Sequence, residues 1–355
     1  MAEGFHIKFQ KNIKHMKQFL CALGIIVVLT GLVTSVAAWK LIKYTQTPLN
    51  NTRADIPSPQ WTSFSIKPGE SLFQISKNLE KQEIITSCVM FRIYARIKGQ
   101  AKKIKAGEYR LSSAMPPRAV LDKIVNGRVA TYRLTIPEGL NIKGIARLVE
   151  RAGFGTQEMF QAAAHDKTLV QDMGISADSC EGYLFPETYF FPKHTPTESI
   201  IRHMVHRFTT VFTKQWENRA EKLGFNRHEI VTLASIIEKE TGTASERPII
   251  SSVFHNRLKK GMRLESDPTV IYGIPDFNGN ITRKDLETKT PYNTYKINGL
   301  PPGPIAGPGK MALRAALFPA DTEYLFFVSK KDTTHKFSKT FKAHNKAVRK
   351  YQLNR

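Results

Sequence analysis

The sequence predicts an α+β fold behind a single apolar N-terminal helix. Three observations carry that prediction. Residues 19–39 hold no charged side chain over 21 consecutive positions. Residues 61–127 alternate short strand patterns with helical ones, and residues 131–355 mix long helical stretches with apolar runs bounded by glycine and proline. A hydrophobic content of 41% over 355 residues is that of ordinary globular protein, enough for two domains beyond the helix.

The apolar run is long enough to cross a hydrocarbon core of about 30 Å. Lys8, Lys11, Lys14 and Lys17 precede it, while Lys40 and Lys43 follow closely. That asymmetry predicts a cytoplasmic tail over residues 1–18, a transmembrane helix over 19–39, and the remaining mass outside. Ser35-Val36-Ala37 resembles a cleavage site, but the run exceeds the usual apolar core of a signal peptide, so a retained single-pass anchor is expected. Residues 40–60 read as a linker, with Pro48, Pro57 and Pro59 among polar spacers.

Residues 61–130 read as a small module. A strand leads to a Pro68-Gly69 turn, then a helix with Leu72, Ile75, Ser76 and Leu79 on one face, a second helix over 89–97, and a strand over 105–111. This strand–helix–helix–strand order resembles the LysM-like fold, which binds N-acetylated glycans; a spacer with the same fold and no binding is the plainer reading. The pattern echoes further on. Ile66, Gly69, Leu72, Ile75, Ser76 and Leu79 match Ile136, Gly139, Ile142, Ile145, Ala146 and Val149 at a constant offset of 70, so residues 131–154 read as a second strand–turn–helix.

The net charge of +23 suits an anionic partner: nucleic acid, phospholipid headgroups or an acidic cell-wall polymer. No nucleic-acid-binding signature accompanies it, so nucleic acid is the weakest of the three. Cys21, Cys88 and Cys180 have no metal-ligand spacing; a Cys88–Cys180 disulfide is conceivable outside the cytoplasm, but unpaired thiols are expected. His194, His203 and His206 cluster without a completing ligand, and no phosphate-cradling loop appears, so neither metal nor cofactor is implied.

Residues 157–224 read as mostly helical, interrupted by the aromatic run 182–189. That run is a packed core loop or one wall of a sugar groove. Ser245 reads as the cap of a helix bearing Val253, Phe254 and Leu258, with Glu246 favouring the helix start by its charge. Asn256-Arg257, Asp267-Pro268-Thr269 and Tyr272-Gly273 are expected in loops. Four glycines and four prolines between residues 299 and 309 make a stiff loop with little entropy to lose on binding. Residues 324–328 read as a core strand, and His344 lies on a final amphipathic helix.

The densest stretch is residues 233–290. Ile230, Leu233, Ala234 and Ile237 recur at helical spacing, then Glu238 and Glu240 precede the stop signal Thr241-Gly242. Glu240 lies roughly 70° from the centre of the apolar stripe and Glu238 roughly 90° on the other side, with Lys239 turned to solvent. Burial and the negative helix end both raise the Glu240 pKa, which suits a general acid for glycosidic cleavage. The plainer reading of these residues is that Glu240 caps a frayed helix end.

This stretch, together with YNTYKINGLPPGPIAGPG at 292–309, resembles the YceG-type endolytic murein transglycosylases, inner-membrane enzymes that cut nascent peptidoglycan strands. The resemblance runs from about residue 64 onward. It implies a catalytic domain over 131–355 in the periplasm. It makes the second acid of E-K-E-T, Glu240, the catalytic residue, and tilts the aromatic run 182–189 toward a groove wall. The implied reaction cleaves the β-1,4 bond between N-acetylmuramic acid and N-acetylglucosamine. One glutamate protonates the leaving oxygen, then deprotonates the C6 hydroxyl that closes a 1,6-anhydro ring, so the enzyme terminates glycan polymerisation. Glu246, Asn256, Asp267, Tyr272, Tyr292, Asn293 and Tyr295 are expected substrate-binding residues. Expected partners are peptidoglycan strands, the membrane and the synthases of elongation or division. A hydrolytic muramidase and a non-catalytic glycan-binding scaffold remain open. A hydrolase usually needs a second carboxylate; Glu238 is about 160° round the helix from Glu240, leaving Glu246, Asp267 and Glu187.

Overall fold

The computed structural model describes residues 2–49, 60–275 and 277–353, with their side chains except those of residues 2–15 and 17–19. It is a mixed α+β structure in two units, Met1–Ala130 and Thr131–Arg355.

The first helix, α1, spans Ala2–Gln46. Its segment Leu20–Gln46 has a mean hydropathy of 2.5 and is the one helix among the described residues long and apolar enough to cross a membrane, a property a signal sequence shares. The helix continues through residues 40–46, which the sequence assigned to a linker. Tertiary contact accounts for this: Tyr44 donates a 2.8 Å hydrogen bond to the Ser87 carbonyl and Thr45 is buried. Residues 50–59 of the expected linker lie outside the described residues.

The rest of the first unit runs β1 (Trp61–Ile66), α2 (Leu72–Lys81), α3 (Cys88–Ile97), β2 (Gly107–Ser112) and α4 (Pro117–Val125). β1 and β2 pair antiparallel with Phe64 opposite Tyr109. Phe64, Ile66, Ile75, Leu79, Phe91, Tyr109 and Leu121 fill the core beneath that ribbon. The turn into α2 uses Gly69 at φ +77°, free of side-chain strain there, and Ser71 caps the helix through a capping box with Gln74.

The second unit opens with the echo of this device. β3 (Thr131–Thr135) leads through Gly139, again at φ +77°, to α5 (Ile142–Arg151), capped by Asn141. The helices α6 (Gln157–Ala164) and α7 (Lys167–Asp172) follow, then β4 (Thr188–Pro192), which pairs antiparallel with β3. Next come α8 (Thr197–Val211), α9 (Lys214–Lys222) and α10 (Arg227–Glu240). A 3-10 turn at Ala244–Glu246 precedes α11 (Arg247–Lys259), α12 (Asp267–Tyr272), α13 (Arg283–Glu287) and α14 (Lys310–Leu317). The hairpin β5 (Phe326–Ser329) and β6 (His335–Ser338) and the helix α15 (Phe341–Tyr351) close the chain.

α10 is the axis of this unit. Asn226 and Glu229 form its capping box, and all of Ile230 to Ile237 is buried. The expected single apolar stripe is therefore too narrow. Val231 and Ile236 bury the other faces, and the hydroxyls of Thr232 and Ser235 are satisfied by the carbonyls of His228 and Thr232 at 2.8 and 2.7 Å.

Other local expectations change for identifiable reasons. Tyr183, Leu184 and Phe185 are buried in the core with α10, so these residues are core rather than groove wall. The Gly/Pro loop is itself largely buried: Ile305 N donates to Ser235 Oγ, and Gly307 exchanges backbone hydrogen bonds with Gly139 and Leu140. β5 is half-buried along its whole length, not a core strand, and among the described residues it pairs with β6 alone. Ser245 lies inside the 3-10 turn, and Glu246 takes the cap position of α11 with no side-chain cap bond.

Candidate active site

α10 stops at Glu240 because Thr241 turns extended, at φ −94° and ψ 113°, and returns its hydroxyl to the Ile237 carbonyl at 2.6 Å. Glu240 is therefore the last helical residue, half-buried, with its carboxyl facing the start of α12. Ser266 Oγ donates to Glu240 Oε1 at 2.6 Å. Burial pushes the Glu240 carboxyl up to about 7, and the charge of Asp267 adds to the rise; the Ser266 bond, the nearby His335 ring and the Arg257 guanidinium oppose it.

Ser266 was not singled out from sequence, although Ser-Asp-Pro-Thr is a helix-start pattern with proline in the first turn. It places Asp267-Pro268-Thr269 and Tyr272 on α12 and not in loops, just as Asn256-Arg257 lies on α11. Ser266 is fixed by a buried hydroxyl lattice. Its N–H donates to Thr294 Oγ1 at 2.9 Å, Thr269 Oγ1 donates to its carbonyl at 2.6 Å, and the two threonine hydroxyls lie 2.8 Å apart.

Asp267 and Tyr295 join the same neighbourhood. Tyr295 Oη donates to Asp267 Oδ1 at 2.7 Å, and burial with the nearby charges of Asp267 and Glu240 raises the phenol above its ordinary range. Glu246 holds His335: the ring Nδ1 lies 2.7 Å from Glu246 Oε2, and the His335 N–H donates to Oε1 at 3.1 Å. Arg257 is buried, with Nε on the Leu325 carbonyl at 2.7 Å and an ion pair to Glu265 at 3.1 Å.

The remaining sequence candidates stand elsewhere. Asn256 donates its amide to the Thr322 and Tyr324 carbonyls. Asn293 is fully buried and braces the end of α13 through the carbonyls of Asp285, Leu286 and Thr288, which leaves no amide hydrogen for a ligand. Glu238 pairs with Arg247 at 2.9 Å and accepts from Gly309 N, and Glu187 pairs with Arg207. Both carboxylates are thus engaged in structure.

Tyr272 and Tyr292 form a pair with ring centroids 4.7 Å apart, and Tyr272 Oη donates at 3.2 Å to Glu181 Oε2. Glu181, whose burial depends on α5 and α12 and so leaves no local signal in the sequence, is 7% exposed and also accepts from Ile142 N at 3.1 Å. Burial raises its carboxyl to about 7. A cleft of about 460 Å³ opens beside these elements, lined by Gly139 to Asn141, Lys143, Arg147, Lys239, Pro268, Ile271, Tyr272 and neighbours. Glu240 itself is not in the lining; its chain neighbour Lys239 is.

The chain's relatives bear on this arrangement. An endolytic murein transglycosylase of Bacillus subtilis is 35% identical over 305 residues, covering 81% of this chain and 84% of that protein. One of Streptococcus pneumoniae serotype 2 is 29% identical over 306 residues, covering 78% of this chain and 55% of the longer relative. The crystal structure of a YceG-like protein from Listeria monocytogenes superposes with a TM-score of 0.57 at 34% identity, covering 82% of this chain and all of that one. The YceG-like family model matches residues 64–350, the span that holds Glu240, Ser266 and the Gly/Pro loop alike, and the chain belongs to the YceG-like family.

Proposed function

We propose that this protein is an endolytic lytic transglycosylase that cuts the β-1,4 bond between N-acetylmuramic acid and N-acetylglucosamine in peptidoglycan strands. The observation that carries the reading is Glu240, a half-buried residue at the end of α10 whose carboxyl is raised to about 7 by burial and oriented by Ser266. Its acid form gives a proton to the glycosidic oxygen as the bond to C1 breaks and the N-acetylglucosamine end departs. The resulting carboxylate takes the proton of the muramoyl C6 hydroxyl, whose oxygen bonds to C1 and closes the 1,6-anhydro ring. Glu240 ends protonated, ready for the next strand. A pKa near the working pH serves both halves of that cycle.

A muramidase is the second reading, and Asp267 favours it, since its charge acts on Glu240 and it would be the second carboxylate. Mass spectrometry of the products separates the two. Anhydro ends, lighter than reducing ends by one water, support the transglycosylase; fully reducing ends overturn it. A scaffold without catalysis would survive Glu240→Gln unchanged.

The proposed organisation is a cytoplasmic tail over 1–18, an inner-membrane anchor from residue 19, a LysM-like module over 61–130 and a periplasmic catalytic domain over 131–355. The module carries a cleft of about 270 Å³ at the Gly69–Leu72 turn, lined also by Lys67, Ala101 and Lys102, which suits a glycan segment. Deleting the module should weaken binding to isolated sacculi; unchanged binding would favour a spacer. A reporter active only in the cytoplasm, fused after Arg355, should stay silent. Wall synthases of elongation or division would then meet the enzyme on the outer face.

A further inference from the structure

The strand–turn–helix echo extends to a surface that the proposed reaction does not yet use. α2 and α5 have the same length and start at the same offset of 70, each capped by the residue two after a glycine at φ +77°. In the first copy the turn Gly69, Glu70 and Ser71 lines a cleft. In the second, the equivalent Gly139, Leu140 and Asn141 line the cleft of about 460 Å³ beside α10. The device is repeated, but the chemistry is altered. Glu70 is replaced by the half-buried Leu140, and Phe73 by Lys143.

The second cleft is cationic. Lys143 and Arg147 lie one turn apart on α5, both exposed, and Lys239 Nζ reaches the Gly139 carbonyl at 3.4 Å on another side. Among the described residues no acidic side chain lines the cleft. Like charges at this helical spacing disfavour the helix, so an anion between them relieves a cost the free protein carries. The floor is apolar, from Leu140, Ile271, Tyr272 and Phe277. The turn is locked to the Gly/Pro loop through Gly139 N to Gly307 O at 2.9 Å and Gly307 N to Leu140 O at 2.8 Å, so the cleft is preorganised.

We infer that this cleft is a subsite for a carboxylate-bearing group of the strand cut at Glu240, with Lys143 and Arg147 gripping the carboxylate and the apolar floor receiving the carbon skeleton. The inference rests on the transglycosylase reading. Glu240 accepts from Ser266 at the cap of α12, and Pro268, Ile271 and Tyr272 of that same short helix line the cleft, so a strand engaged by the acid runs beside these cations. Two carboxylate sources exist on such a strand: the peptide stem, and the lactyl group that is freed when the stem is removed.

The test uses the full-length protein in detergent with Lys143→Met and Arg147→Met combined, which keeps an unbranched apolar stem and removes the charge. On stem-bearing strands, KM should rise about tenfold while kcat holds, as expected for losing a charge-assisted contact. Lys143→Arg should retain the wild-type KM. A rise confined to stem-bearing strands assigns the peptide stem, a rise confined to amidase-treated strands assigns the lactyl carboxylate, and the same rise on both shows that the cleft takes either carboxylate. An unchanged KM on both substrates overturns the subsite while leaving the Glu240 chemistry intact. Strand binding by the Glu240→Gln protein, with and without the two methionines, reads the subsite without any turnover. Equal binding there overturns the subsite too, whereas cleavage by Glu240→Gln overturns the reading of the reaction instead.

Discussion

Ser266 Oγ donates a 2.6 Å hydrogen bond to Glu240 Oε1 across 26 residues of sequence, joining the last residue of α10 to the cap of α12. The bond orients the carboxyl and pulls its pKa down against the larger upward effect of burial. The acid is thereby tuned by opposing influences, each of which can be removed singly.

Removing the carboxyl comes first. Glu240→Gln should lower kcat by about a thousandfold, the usual worth of a positioned proton donor, with strand binding kept. Because the carboxyl is raised to about 7, the acid form is lost as pH rises through 7, so wild-type activity should fall on that alkaline limb. Activity flat to pH 9 would remove Glu240 from the role.

Ser266→Ala should displace the same limb upward. The hydroxyl stabilises the ionised form, so its loss leaves the carboxyl protonated to higher pH, by about one unit for a hydrogen bond to a charged group. The pH–rate profile of the variant reads this directly. A downward displacement would contradict the assignment.

Asp267→Asn should act in the opposite direction, since the Asp267 charge raises Glu240. The limb should move to lower pH with anhydro products unchanged. If the variant instead loses turnover wholly while binding strands, Asp267 is the base of a muramidase.

Glu181 bears on stability. Its carboxyl is raised to about 7 by burial, so the folded state holds this proton more tightly than the unfolded chain does. The contribution is fully present below about pH 4.5 and is lost as pH rises through 7, amounting to roughly 3 kcal/mol across that window. Glu181→Gln, which can still accept from Ile142 N and Tyr272 Oη, should flatten this decline in a denaturant series at pH 5 and pH 8. An unchanged slope would show that Glu181 is ionised in both states.

Gly182 adopts φ +81°, and a Cβ there would lie 2.5 Å from Pro304 and 2.8 Å from Val231. Gly182→Ala should therefore cost roughly 2–4 kcal/mol from combined backbone strain and overpacking. Chemical denaturation measures it, and a loss below 0.5 kcal/mol (about the error of a surface change) would refute the close approach.

The elements legible in the sequence were those whose signals are local. The 21 uncharged residues before Lys40 declare a long apolar helix by composition alone. Gly69 and Gly139, each followed by a capping residue and a helical apolar pattern, announce two copies of one device, and both copies appear at the expected offset. The end of α10 at Glu240 was readable from Thr241-Gly242. What failed was any judgement needing a partner distant in the chain. The aromatic rings of Tyr183 and Phe185 suit a sugar face or a core equally well until α10 is laid against them. Asn293 has the chemistry of a ligand-binding amide, yet its donors are taken up by carbonyls at the end of α13.

By itself, then, the sequence determined which helix carries the acid, where that helix stops, and that burial would raise the carboxyl's pKa, because periodicity, breakers and residue polarity act over a few residues. Only the tertiary structure decided which groups meet that carboxyl. Ser266, Asp267, His335 and Arg257 act on it from three other elements, and Glu181 owes its proton affinity to burial, against hydrogen bonds from Ile142 of α5 and Tyr272 that oppose the rise. Electrostatic and hydrogen-bonding energies depend on separations of a few ångströms in space, and sequence distance does not report those.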